Sequence, residues 1–105
     1  MSKVFLGSEL KLNIHIDPLG EITMDSYDFV VTLYTSTSRT LKVLKTQAVR
    51  IDENNYVVLV DTTKVGAGKL KCRVEAQVPD GDFPDQLRTE IVVLETGIVI
   101  VDSAM

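Results

Sequence analysis

An all-β fold built from two packed sheets is the class the sequence predicts, on three observations. Period-two alternation of apolar and polar residues recurs along the chain and is cleanest from Lys69 to Val78. Turn-forming residues separate the alternating segments at intervals of about ten residues. No stretch carries the apolar period of 3.6 that marks a helix.

The first clear strand is Glu9 to Ile16, with Leu10, Leu12, Ile14 and Ile16 on one side and Glu9, Lys11, Asn13 and His15 on the other. Asp17-Pro18-Leu19-Gly20 ends it with turn chemistry, and polar residues lead to Asp28. Phe29, Val31 and Leu33 mark the inward side of the next strand, which Thr35-Ser36-Thr37-Ser38 closes. Leu41 and Val43 alternate with Thr40 and Lys42 until Leu44 and Lys45 break the parity, as a bulge residue would. Val49 and Ile51, the turn Glu53-Asn54-Asn55 and the run Tyr56 to Val60 read as a hairpin. Its second arm is apolar on both faces, which predicts a central strand covered on both sides.

Asp61 to Gly68 begins with a capping residue and ends with two glycines around Ala67, so one helical turn is expected there as a connection between sheets. Leu70, Cys72, Val74, Ala76 and Val78 then define the inward side of a strand with one wet face. Pro79 to Gln86 forms a loop, after which Leu87, Thr89, Ile91 and Val93 alternate with Arg88, Glu90 and Val92, and the two arms should pair antiparallel. The sum is a seven-stranded antiparallel β-sandwich of immunoglobulin-like type, a single domain over residues 1–105, with a small barrel as the alternative. The tryptophan and the inter-sheet cysteine pair of antibody domains are missing.

Composition narrows the function classes. Eleven basic against fifteen acidic residues give a formal charge of −4, which opposes attraction to a phosphate backbone or an anionic membrane surface. Neither nucleic acid nor membrane is an expected partner. Cys72 is the single cysteine, so no intrachain disulfide forms and the core alone must stabilise the fold. The N-terminal apolar run stops after Val4-Phe5-Leu6, shorter than the roughly 7–15 residues of a signal peptide, so no export signal is expected.

No catalytic constellation or cofactor motif is visible, and the expected role is binding or structural. Asp80, Asp82 and Asp85 make the loop after Val78 a weak calcium candidate, set against the reading that aspartates there bond local backbone N–H groups in a solvated turn. His15 lies on a polar strand face, and with one His and one Cys the chain cannot assemble an ordinary zinc set. Cys72 shares an inward face with Leu70 and Val74, as a buried apolar residue rather than a nucleophile. Tyr27, Tyr34 and Tyr56 offer a possible stacking platform for a sugar, the basis of a carbohydrate- or cell-surface-binding alternative.

The tail stands apart. After Thr96-Gly97, the residues Ile98, Val99, Ile100 and Val101 are apolar on both faces of a would-be edge strand and are the candidate interaction residues. Two readings compete. The segment continues the preceding strand past a glycine bulge under cover of Val4-Phe5-Leu6, or it adds as a strand to a neighbouring subunit.

Three blocks carry a resemblance: Leu6-Gly7-Ser8-Glu9-Leu10-Lys11-Leu12 opening a strand, Tyr27-Asp28-Phe29 entering the next, and Val60-Asp61-Thr62-Thr63-Lys64-Val65-Gly66-Ala67-Gly68-Lys69-Leu70 between two strands. With the loop Pro79 to Asp85 and Leu87-Arg88-Thr89-Glu90, nearly the whole chain resembles small virion proteins of phages and prophages of Bacteroides-type bacteria. More distantly it is similar to the immunoglobulin-like N-terminal domain of siphophage baseplate upper proteins. The resemblance implies a non-enzymatic subunit of a tail, baseplate or head-fibre assembly, with other virion proteins or further copies of itself as partners.

Overall fold

The computed structural model describes residues 2–18 and 22–102. Leu19 and Gly20 of the first expected turn lie outside the described residues. Eight strands are present among the described residues: β1 (Ser2–Phe5), β2 (Glu9–His15), β3 (Asp28–Tyr34), β4 (Thr40–Leu44), β5 (Val49–Asp52), β6 (Asn55–Asp61), β7 (Gly68–Pro79) and β8 (Leu87–Val101). They form a five-stranded sheet in the order β1-β8-β7-β3-β4 and a three-stranded sheet in the order β2-β6-β5. The all-β, two-sheet expectation is met.

Two details of the expected sandwich are corrected. Among the described residues there are eight strands rather than seven, because Ser2–Phe5 is itself a strand; it is too short to show an alternation that sequence periodicity could detect. The fold is also not wholly antiparallel. β1 runs parallel to the end of β8, pairing Ser2 with Ile98 and Phe5 with Val101. The chain reverses at Gly7-Ser8 and crosses into the other sheet, so its first strand enters the larger sheet alongside its last.

Alternation sets the core. From the larger sheet, Phe29, Val31 and Leu33 of β3 and Leu70, Cys72, Val74, Ala76 and Val78 of β7 point inward and are all buried. They meet Leu12 and Ile14 of β2 and Tyr56, Val58 and Val60 of β6. Register locks the two halves of the larger sheet, with Phe29 opposite Ala76, Val31 opposite Val74 and Leu33 opposite Cys72. β6 is central to its sheet as expected, but it is not covered on both sides: Leu59 is exposed on the outer face. With only two layers, every sheet keeps one face toward solvent.

The connections follow local chemistry. The expected turn after Asp61 is a 3-10 turn, Thr62–Lys64, whose first N–H groups are capped by the Asp61 carboxylate accepting from the Thr63 amide at 3.0 Å. Gly66 then takes a positive φ of 84°, and a Cβ there would lie 2.9 Å from the Thr37 methyl. That close approach lets the Thr35 and Thr37 hydroxyls both donate to the Val65 carbonyl, fastening the β3–β4 loop to the crossover. The parity break at Leu44–Lys45 is a strand end followed by a 3-10 turn, Lys45–Gln47, in place of a bulge. A further 3-10 turn, Met24–Ser26, plugs the core with the fully buried Met24, which its polar neighbours concealed in the sequence.

Candidate interaction surface

β8 is fifteen residues long, and only its last four pair with β1. The tail residues Ile98, Val99, Ile100 and Val101 therefore continue the preceding strand and have their edge occupied within the chain, with Ile100 fully buried. Gly97, at a φ of 73°, sits where the β7–β8 register shifts between Lys69 and Lys71, the glycine bulge that the sequence suggested. The upstream stretch of the same strand is different. From Leu87 to Glu95 it is bonded to β7 on one side, and no described strand pairs with its other side.

That open edge is apolar at its middle. Ile91 is 51% exposed, Val92 39% and Val93 55%. Ile91 and Val93 belong to the outer face, opposite Glu75 and Arg73 of β7, while Val92 belongs to the inner face, opposite Val74. Inner positions of β7 are buried, whereas on β8 Arg88 and Glu90 are half-buried and Val92 is exposed, so the smaller sheet covers β7 and only partly covers this part of β8. Charge bounds the apolar stretch. Arg88 donates to Asp80 at 2.8 Å and lies 2.9 Å from Glu90 at one end, and Glu95 stands at the other. Ile91-Val92-Val93-Leu94 is an unbroken apolar run as long as the tail, and that run was the available signal for this edge in the sequence.

The remaining candidates resolve into structural roles. Asp80 accepts from the Asp82 amide and from Arg88, and Asp85 accepts from the Leu87 amide, so these carboxylates shape the β7–β8 loop. Among the described residues no group of three or more His, Cys, Asp or Glu is placed to hold a metal ion. Cys72 is fully buried, and desolvation pushes its thiol up to about 11. Tyr27 and Tyr56 are buried, which leaves Tyr34 alone of the three with a half-exposed ring and removes the stacking platform. His15 is exposed and bonded to Asp17 and Asn55, contacts that raise its pKa. The cleft beside Gly97, lined by Lys69, Lys71, Glu95 and Ile98, holds about 70 Å³, well below the several hundred typical of a small-molecule site.

One polar cluster was not foreseen. Asp25 accepts a two-pronged contact from Arg50, with Nη2 at 2.8 Å and Nε at 3.0 Å, and a further bond from the Tyr56 hydroxyl. These donors hold the Asp25 carboxyl down at about 2, while burial and the neighbouring carboxylate push the Tyr56 phenol up to about 12. The cluster ties the loop before β3 to β5 and β6. Because the folded value is depressed, the unfolded chain binds the proton more readily, so this stabilisation is complete above about pH 4 and is lost as pH falls toward 2. Asp52, bonded by Asn55, and Asp61, bonded by Thr63, are lowered too and act in the same direction. Urea midpoints measured from pH 5 to pH 2 should therefore fall less steeply for Asp25→Asn than for wild type, and parallel curves would refute the assignment. Among the described residues no helix is long and apolar enough to cross a membrane. No family model, curated protein or solved structure matches the chain.

Proposed function

We propose that this chain is a non-enzymatic assembly module of immunoglobulin-like type, acting as a structural component of a phage or prophage virion in a tail, baseplate or head fibre. The observation that carries the reading is the open edge of β8, where a regular strand with exposed Ile91, Val92 and Val93 offers unpaired backbone groups to another strand. Such an edge joins proteins through main-chain bonds and needs no substrate pocket.

Strand order supports the immunoglobulin-like part. β2, β6 and β5 take the positions of strands B, E and D, and β8, β7, β3 and β4 those of G, F, C and C′. The blocks Leu6 to Leu12 and Val60 to Leu70, on which the resemblance to virion proteins rests, form the β1–β2 corner with most of β2 and the β6–β7 crossover. The test is to band particles from cultures of the source bacterium on a density gradient and quantify this chain by mass spectrometry. A fixed ratio to the major particle proteins is expected; recovery solely from the particle-free soluble fraction would overturn the virion role.

A further inference from the structure

We infer that the open edge of β8 receives a second copy of this chain, with the two β8 strands paired antiparallel about a two-fold axis at Val92 to give one ten-stranded sheet. The inference rests on the assembly reading and names the partner. Its first support is length. β1 begins to occupy the edge at Ile98, and β8 starts at Leu87, so the free stretch is 87–97 and Val92 is its midpoint. A two-fold centred there uses the whole free edge. Centring it one residue later would drive the partner's Leu87 against Val99, where Lys3 of β1 already sits.

Chemical pattern along the edge is the second support. A two-fold normal to the sheet pairs residues of like parity, so each face must match itself. About Val92, Ile91 meets the partner's Val93, Val92 meets the partner's Val92, and Thr89 meets the partner's Glu95. No like charges oppose one another, and Glu90, which falls beside the partner's Leu94, keeps its own Arg88 at 2.9 Å. Other centres fail. At Ile91, Glu90 faces the partner's Val92 and Leu87 faces the partner's Glu95. At Glu90, the two Glu90 carboxylates oppose each other.

An edge-to-edge contact of this kind buries less than the roughly 1,200 Å² of a standard interface, so dimerisation is expected over about 10 µM to 1 mM. Sedimentation velocity on the full chain across that range should show the average mass rising from one chain toward two. Val92→Lys and Val92→Glu each place like charges opposite one another on the axis and should weaken self-association at least about tenfold. An equimolar mixture of the two variants should restore the dimer, an outcome that misfolded proteins cannot give. Independently of any variant, hydrogen exchange at the wild-type amides of residues 89–95 should slow as concentration rises. A wild-type chain that stays monomeric at about 1 mM, or a Val92→Lys protein that dimerises as wild type does, would overturn the inference. So would a mixture that remains monomeric. A monomer would leave the virion role standing, whereas absence from particles would remove that role and leave the dimer.

Discussion

Replacing Phe29 with alanine should lower stability by about 3–5 kcal/mol, the largest effect expected of any single side-chain truncation in this chain. Phe29 is 1% exposed and the bulkiest fully buried side chain. Its ring takes the edge of Tyr56 at a centroid distance of 5.1 Å and an interplanar angle of 83°, and that of Tyr27 at 6.3 Å and 66°. The Lys45 ammonium lies 5.8 Å from the ring centre, held there by bonds to the Asp25 and Tyr27 carbonyls. Three side chains from separate parts of the chain therefore converge on one ring, and neighbours fixed by strand pairing cannot collapse into the void. With a total stability of about 5–15 kcal/mol for a domain of this size, the variant should lose roughly 2 M in its urea midpoint. A loss under about 1 kcal/mol would show that the ring is not the centre of the core.

Thr62→Val should cost about 1–3 kcal/mol although it preserves shape almost completely. Thr62 is fully buried, and its hydroxyl accepts from the Gly7 amide at 2.9 Å and donates to the Ser8 carbonyl at 2.7 Å. The Thr62 amide also reaches the Ser8 carbonyl, at 3.2 Å. One hydroxyl thus satisfies the backbone of the corner between β1 and β2 from a residue far along the chain. Valine removes the acceptor of the Gly7 N–H and the donor to the Ser8 carbonyl together, two hydrogen bonds worth about 0.5–1.5 kcal/mol each. Urea unfolding reads the global loss, and hydrogen exchange at the Gly7 amide should rise disproportionately. An unchanged exchange rate there would show that the corner is held by other means.

Legibility in the sequence tracked the physics of each segment. β7 was readable end to end because a half-buried strand must alternate, and Leu70 to Val78 do so without a fault. The Asp61 cap was readable because helix-start chemistry is local. β1 was partly readable: Val4-Phe5-Leu6 was one of two expected covers for the tail, but that Ser2–Phe5 is a strand parallel to Ile98–Val101 depends on residues almost a whole chain length away. The interaction edge was half legible. Apolar runs on two-sided strands were the right signal, but the tail and Ile91–Leu94 carry the same signal, and only the placement of β1 decides which of them is covered. The Asp25–Arg50–Tyr56 cluster left no trace in sequence because its members come from three separate elements.

The parallel pairing of β1 with the end of β8 has a mechanical consequence. Tension applied between Ser2 and Val101 pulls two parallel strands from opposite ends, so the force runs along their shared axis and loads all four residue pairs together. Such a patch yields by shear, with its bonds failing at once, and not by unzipping one bond at a time. A subunit held by its two ends would transmit a pull through this short clamp before any core strand felt the strain.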